Sequence, residues 1–465
     1  MRDDAYEPNG SELPSLKIEV STPMALPSPF AAVPEVPDSV GAWKLSSPLE
    51  ALRSHARSFA MQFMEALQQQ FLSFVVDGAV VDQHWRPFEG AHILAIAAEP
   101  QMAATGRAFA LWTHGGRAVA WGDPLFGGEV SDVQQELREV RVIEASHSAF
   151  CALRLDGSVV TWGDPAAGGE TCGDVQRQLK EVRSIAASDR AFAAVLADGR
   201  VVTWGNSAAG GDSCCVQEQL RDVEDIRGSA AAFAALTRSG RVVTWGHRQF
   251  GGDSRGVQDQ LRDVRQISAS AGAFAALLAD GSVVTWGNPR HGGDCSFVSP
   301  RVQQLAASAA AFAARTTEGH VVTWGHPDYG GDGSAISTHL PKLRNDDILH
   351  GSAAAFAVMS EGGSLFTCGH RRYGGALDAG CACNDAAQLL CNWRRLGFVA
   401  RRKDGTVVTW GQDFDASPPK DLRVQRLLAA NGAAIAALAK GKLVTWGQAD
   451  AGGDTGKVQD LLTQL

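Results

Sequence analysis

The sequence predicts an all-β protein: a β-propeller of about nine tandem repeats, each roughly 41 residues long, preceded by a Pro-rich segment and one helix. Three observations carry this. A Trp-Gly pair recurs at Trp121, Trp162, Trp204, Trp245, Trp286, Trp324, Trp410 and Trp446, with Cys368-Gly369 in the missing place; most spacings are 41 or 42 residues. A Phe stands twelve residues before each anchor, from Phe109 to Phe398, and Ile435 takes that role in the last repeat, eleven residues ahead. Between the two lies Asp-Gly or a close relative, a hairpin signal flanked by β-compatible runs. A fixed distance between two bulky residues, kept through nine copies, marks one copied supersecondary unit.

Each repeat opens with a run of small residues such as SIAAS (Ser184–Ser188). A second run follows, AFAALLAD, then the turn, then SVVTWG. The β-branched residues of the third run favour a pleated strand. Val283 and Thr285 alternate with Val284 and Trp286, so both faces are apolar and both must be covered. Gly-Gly-Asp or Gly-Gly-Glu comes next, then a segment such as VQDQLRDV. In it Val257, Leu261 and Val264 fall at i, i+4 and i+7, which predicts a short helix capped by Asp253 or Ser254. Three-stranded sheets with two apolar faces are stable when stacked round an axis, each covering its neighbour. The small-residue strand suits the crowded axis and the Trp suits the wider outer part of the wedge.

The pattern I-A-A-S-x-x-A-F-A-A-L-x-x-D-G-x-V-V-T-W-G resembles the repeat of the regulator of chromosome condensation family, over residues 93–465. The short blade is similar to that of the propeller-type β-lactamase inhibitor protein. The family's Gly is Ser here (Ser146, Ser188, Ser229, Ser270, Ser308, Ser352), and its His is Ala (Ala149, Ala191, Ala232, Ala273, Ala311, Ala355). The family's rings usually have seven blades, so nine repeats leave open a nine-bladed closed ring, which is favoured, a smaller ring with spare units outside, or an open superhelix. The resemblance implies two activities by analogy: nucleotide exchange on a small GTPase, and substrate recruitment for a ubiquitin ligase. The chain reaches Leu465 inside its last repeat, so a ligase role is expected to act in trans.

Residues 1–45 hold seven of the eighteen prolines and are expected to be disordered. Residues 46–92 are expected to form a helix over Ser46–Phe74, opened by Ser47-Pro48, and a degenerate hairpin in FVVDGAVVDQHW that clasps the ring. The acidic N-terminus lacks a leader pattern, and no apolar run reaches the length of a membrane helix. Nine cysteines without a framework point to free thiols. The expected location is therefore the cytoplasm or nucleus. A net charge of -9 disfavours general nucleic-acid binding.

No catalytic motif stands out, and no cofactor is expected. Glu129, Glu170, Asp212, Asp253, Asp294, Asp332 and Asp454 follow the Gly-Gly pairs and form a candidate acidic rim; the simpler reading makes them caps. Cys381, Cys383 and Cys391, with Cys295 or Cys368, fall short of zinc spacing, so no metal site is assigned. Repeats seven and eight break the pattern most, and they are basic. Arg371, Arg372, Arg394, Arg395, Arg401, Arg402 and Lys403 are the candidate partner-binding residues. The function expected is a non-catalytic scaffold that presents a propeller rim to a protein partner.

Overall fold

The structure, a computed structural model, describes residues 100–465 apart from 114–115, 295–300, 333–342, 344–346, 376–382, 392–396, 412–416, 441 and 457–465. Before residue 100 it describes the backbone of four strands. The chain forms two compact units, Met1–Glu99 and Pro100–Leu465. In the first, Lys17–Ser21 runs parallel to His92–Ala97, which pairs antiparallel with Leu72–Val76, and Ala79–Val80 closes the hairpin. This hairpin pairs within its own four-stranded sheet. The helix expected over Ser46–Phe74 lies outside the described residues up to Leu72, where a strand begins.

The second unit holds nine three-stranded antiparallel sheets, hereafter blades 1–9. Blade 3 shows the pattern: an inner strand Val182–Ala187, a middle strand Ala191–Leu196 and an outer strand Val201–Gly205. The register sets Phe192 directly opposite Trp204. Their rings stack, and the Phe is fully buried. The same pair stacks in blades 2–6 and 8 with centroids 5.1–5.5 Å apart and planes 19–25° apart. Burying each such side chain contributes on the order of 2–3 kcal/mol.

Blades 1–6 and 8 are each sealed by a neighbouring blade. The Trp indole donates to a glycine carbonyl in the turn that leaves the preceding blade: Trp162 to Gly127 O (2.9 Å), Trp204 to Gly168 O (3.1 Å), Trp245 to Gly210 O (2.9 Å). At the hairpin end, the glycine carbonyl accepts from the next blade's leading backbone N–H, as in Val182 N to Gly157 O (2.9 Å) and Val223 N to Gly199 O (3.0 Å). At the opposite end, the corner between inner and middle strands donates to the next corner. A chain of backbone bonds runs His147 to Asp189, Asp189 to Ala230, and Ala230 to Ala271 at 2.8–3.1 Å. The inner strands approach so closely that a Cβ on Gly228 would lie 2.1 Å from Ala187 O, which is why small residues crowd this strand.

The ring closes. Trp121 of blade 1 donates to Gly452 O of blade 9 at 3.0 Å, the same bond made inside the ring. Arg107 of blade 1 pairs with Asp450 of blade 9, and the first and last inner strands touch. Nine repeats therefore make nine blades, with no spare unit outside.

The helix expected after each Gly-Gly pair forms only once among the described residues, over Gly173–Gln178. Elsewhere among the described residues the segment is turns, as over 255–260 in blade 4, or a single 3-10 turn, Cys214–Val216, in blade 3. Leu261 and Val264 are buried as the spacing required, with Val257 packed beside them. Two or three turns bury them well enough, and so short a segment offers too few bonds to nucleate a helix. Its Gln has a separate task. Gln134, Gln176, Gln217 and Gln258 each donate to the first carbonyl of an outer strand at 2.9–3.2 Å, covering a sheet edge.

Blade 7 alters the pair. Cys368 faces Phe356 where a Trp is expected, and Phe366 stands two residues earlier where other blades have Val. Both lie on one face of the strand and pack on the same cluster, so Phe366 returns part of the lost volume.

Two outcomes test this architecture. Gly452 has φ +94 and a Cβ there would lie 2.6 Å from Phe109; Gly210 has φ +93 and would meet Phe233 at 2.6 Å. Gly452→Ala and Gly210→Ala should therefore lower Tm by similar amounts; a silent Gly452→Ala would mean an open ring. In blade 7, Phe366→Val with Cys368→Trp should raise Tm by a few degrees, whereas Cys368→Trp alone overpacks and gives no gain, read by calorimetry.

Candidate functional site

Every described exit from an outer strand, in blades 1–7 and 9, is the same 3-10 turn ending in a left-handed glycine. In blades 1–7 the residue before the turn caps it, its side chain accepting from the backbone N–H two residues on. The turn is also tied down from below. Ser229 Oγ donates to Phe250 O (2.8 Å), Ser270 to His291 O (3.0 Å), Ser308 to Tyr329 O (2.8 Å) and Ser352 to Tyr373 O (3.3 Å). Thr105 and Asn431 do the same in blades 1 and 9, at 2.9 and 2.7 Å. The Ser that departs from the family's Gly is thus an anchor for the exit turn, and the sequence showed neither that role nor its Thr and Asn versions. With the backbone held at both ends, the turn's side chains are free to differ from blade to blade.

They differ in one arc. In blades 4–7 the turns read His247-Arg248-Gln249-Phe250, Asn288-Pro289-Arg290-His291, His326-Pro327-Asp328-Tyr329 and His370-Arg371-Arg372-Tyr373. They hold four arginines against one aspartate. The turns of blades 1, 2, 3 and 9 hold three aspartates (Asp123, Asp164, Asp450) and no basic residue. The anchored position is aromatic in all four arc blades but Ala in blades 2, 3 and 9. In blade 1 it is Phe126, which packs edge-on against His147. The corners beside the arc hold only small residues, Ala230-Ala231, Ala271-Gly272, Ala309-Ala310 and Ala353-Ala354, of which Gly272, Ala310, Ala353 and Ala354 are buried. Half-buried aromatic rings and exposed guanidinium groups therefore follow one another along this arc.

The imidazoles belong to this framework. His247, His326 and His370 accept through Nδ1 from the backbone N–H of Gln249, Asp328 and Arg372 at 3.2–3.3 Å, and their rings meet Phe250, Tyr329 and Tyr373. Burial, and then the neighbouring His326, hold His291 below the ordinary histidine range.

The basic residues singled out from the sequence are divided between two faces. Arg371 and Arg372 are exposed in the blade 7 turn, beside the Phe398 end of blade 8. Arg401 and Arg402 end the middle strand Phe398–Arg402, so with Lys403 they belong to the opposite, hairpin end. There Arg402 pairs with Asp385 (3.6 Å) and Lys403 Nζ reaches Gly362 O (3.4 Å). Arg394 and Arg395 lie outside the described residues. Their corner is longer than the others: Cys391 pairs with Phe398, seven residues on, where Ala187 pairs with Phe192.

Four of the acidic rim residues act as caps. Glu129 accepts from the N–H of Val130 and Ser131, Asp212 from Cys214, Asp253 from Arg255 and Asp454 from Gly456. The side-chain bond from Arg255 holds Asp253 down to about 2. Among the described residues no group of three His, Cys, Asp or Glu is placed to hold a metal. Cys383 donates to Asp385 (3.3 Å), and Cys391 lies 4.0 Å from His350. Among the described residues no helix is long and apolar enough to cross a membrane.

No family model matches this chain, and no curated protein matches its sequence. Solved structures similar to it include Prp20p, the RCC1 of Saccharomyces cerevisiae, at 14% identity, TM-score 0.38, over 64% of this chain and 91% of that one. The ectodomain of the Physcomitrella patens receptor kinase CR4 is similar at 18% identity, TM-score 0.38, over 57% and 74%. Human WBSCR16 is similar at 15% identity, TM-score 0.36, over 69% and 96%. At that distance they carry nothing about function. The pairing, the blade contacts and the seam define a nine-bladed β-propeller with repeats like those of RCC1.

Inside the ring, burial pushes Glu144 of the blade 2 inner strand up to about 7, against the opposing charge of Arg227. A raised carboxyl binds a proton in the folded state that the unfolded chain has already released, so stability falls as pH rises from about 4.5 through about 7. Glu144→Gln should therefore gain Tm over the parent by more at about pH 8 than at about pH 5. A constant gap would refute the assignment.

Proposed function

We propose that this protein is a non-catalytic interaction scaffold whose working surface is the arc of exit turns in blades 4–7. One observation carries the reading. Four consecutive turns share a backbone with the rest of the ring yet carry aromatic and basic side chains that the other described turns lack, Phe126 apart. Packing does not demand this, because Ala serves at the anchored position in blades 2, 3 and 9. The arc's rings are half-buried and its Arg side chains exposed, and aromatic and Arg side chains on a rigid frame are the residues that dominate protein interfaces. Arg401, Arg402 and Lys403 give the hairpin face a second, smaller candidate surface. Regulation of a small GTPase and recruitment for a ubiquitin ligase are the narrower readings implied by the repeat, and no constellation of side chains favours either.

The full chain serves as bait beside two variants, Arg248→Glu/Arg290→Glu/Arg371→Glu/Arg372→Glu on the arc and Arg402→Gln/Lys403→Glu on the hairpin face. Circular dichroism checks folding. The arc variant should lose a defined set of partners that the hairpin variant keeps. Equal capture by all three overturns the assignment of the arc. Nucleotide-release and ubiquitin-transfer assays on the captured partners separate the narrower readings.

A further inference from the structure

We propose that Cys214 and Cys215 form a dithiol site that captures trivalent arsenic, each sulfur taking one bond to the same atom. The site lies on blade 3, off the arc, and does not rest on the scaffold reading.

Both thiols are free and exposed, on the 3-10 turn Cys214–Val216. Neighbouring residues on such a turn ordinarily point away from each other. Here the sulfurs converge to 3.8 Å. Two bonds from one atom, each of about 2.3 Å as in zinc–sulfur pairs and meeting at a tetrahedral angle, put their sulfurs about 3.8 Å apart. The pair is thus spaced as the two arms of a chelate. Direct closure to a disulfide fits less well, because adjacent Cα atoms lie about 3.8 Å apart, short of the about 4.4–6.8 Å that a disulfide takes. A bridging atom supplies the missing length.

The backbone beneath the pair is fixed. Asp212 accepts from the Cys214 N–H (2.9 Å), Val216 N–H donates to Ser213 O (3.0 Å), and the buried Ser213 meets Thr203 Oγ1 of the outer strand at 3.1 Å. Gln217 ties the turn to Val201 O (2.9 Å). Little order is left to impose when a ligand joins the sulfurs. The fold does not ask for them. The same two places hold Arg255-Gly256 in blade 4 and Cys172-Gly173 in blade 2, and it is Val216 and Leu220 that pack into the core.

Chemistry chooses among thiophilic centres. Among the described residues no group of three His, Cys, Asp or Glu is placed to hold a metal, and zinc normally takes four ligands. An arsenical with one organic group needs two sulfurs and no more. The Asp212 carboxylate, and then Cys215, hold the Cys214 thiol up at about 11. A divalent cation must expel that proton to solvent. An organoarsenic oxide carries its own proton acceptor: two S–As bonds form, the arsenic–oxygen bond breaks, and the oxygen leaves as water with both thiol protons. Arsenic stays trivalent and no oxidant is consumed.

The test is titration of the reduced full chain with phenylarsine oxide, read by intact mass and peptide mapping. One phenylarsenic group should attach across Cys214 and Cys215 and consume both thiols. It should survive excess glutathione and leave on addition of dimercaptopropanol. Cys214→Ser and Cys215→Ser should each weaken capture by about a hundredfold or more, the advantage of a second tethered bond, while Cys172→Ser leaves it unchanged. All three substitutions replace exposed side chains, and circular dichroism checks the fold. No attachment, attachment only elsewhere in the chain, capture kept by either single variant, release by glutathione, or tighter binding of cadmium ion than of the arsenical at equal concentration overturns the proposal.

Discussion

Most of the ring depends on one contact: in blades 1–6 and 8 the exit glycine of the preceding blade lies over the Phe–Trp pair. It excludes water from the aromatic pair and gives the indole N–H a carbonyl, so a buried donor is satisfied by a neighbouring blade rather than its own. No blade can complete its core alone. The first blade is no exception, because Gly452 supplies what no preceding blade can.

That dependence explains where the repeats are constant and where they drift. The Phe, the Trp, the two glycines and the corner hydroxyl all serve the inter-blade contact. Beyond the capping residue, the turn side chains are not needed to hold the backbone, which is fixed by that cap on one side and a hydrogen bond to the third carbonyl on the other. Charge and aromaticity can then change along one arc at little cost in stability. Blade 7 shows the limit of this tolerance. It loses its Trp and recovers part of the volume through Phe366, on the same face of the same strand.

Both ends of a blade carry basic residues. At the hairpin end, basic residues meet partners of the fold, as Arg402 meets Asp385 and Lys403 meets Gly362. At the corner end, Arg371 and Arg372 stand on an exposed turn. A cluster that is contiguous in sequence is therefore divided by the length of a strand.

The sequence alone determined the repeat, its three strands and the small residues of the inner one, because a fixed Phe-to-Trp distance and an Asp-Gly turn permit one local geometry. It also placed Leu261 and Val264 in the core, while overstating the helix, since periodicity records which side is buried and not how many turns achieve it. Tertiary structure decided the rest. Closure at nine blades depends on the angle between sheets, which no single repeat encodes. The corner Ser reads as a substitution until the carbonyl of Phe250 or Tyr329 is seen above it. The arc is scattered through the chain at intervals of one repeat, and only the ring brings His247, Arg290, Tyr329 and Arg371 onto successive turns of one face.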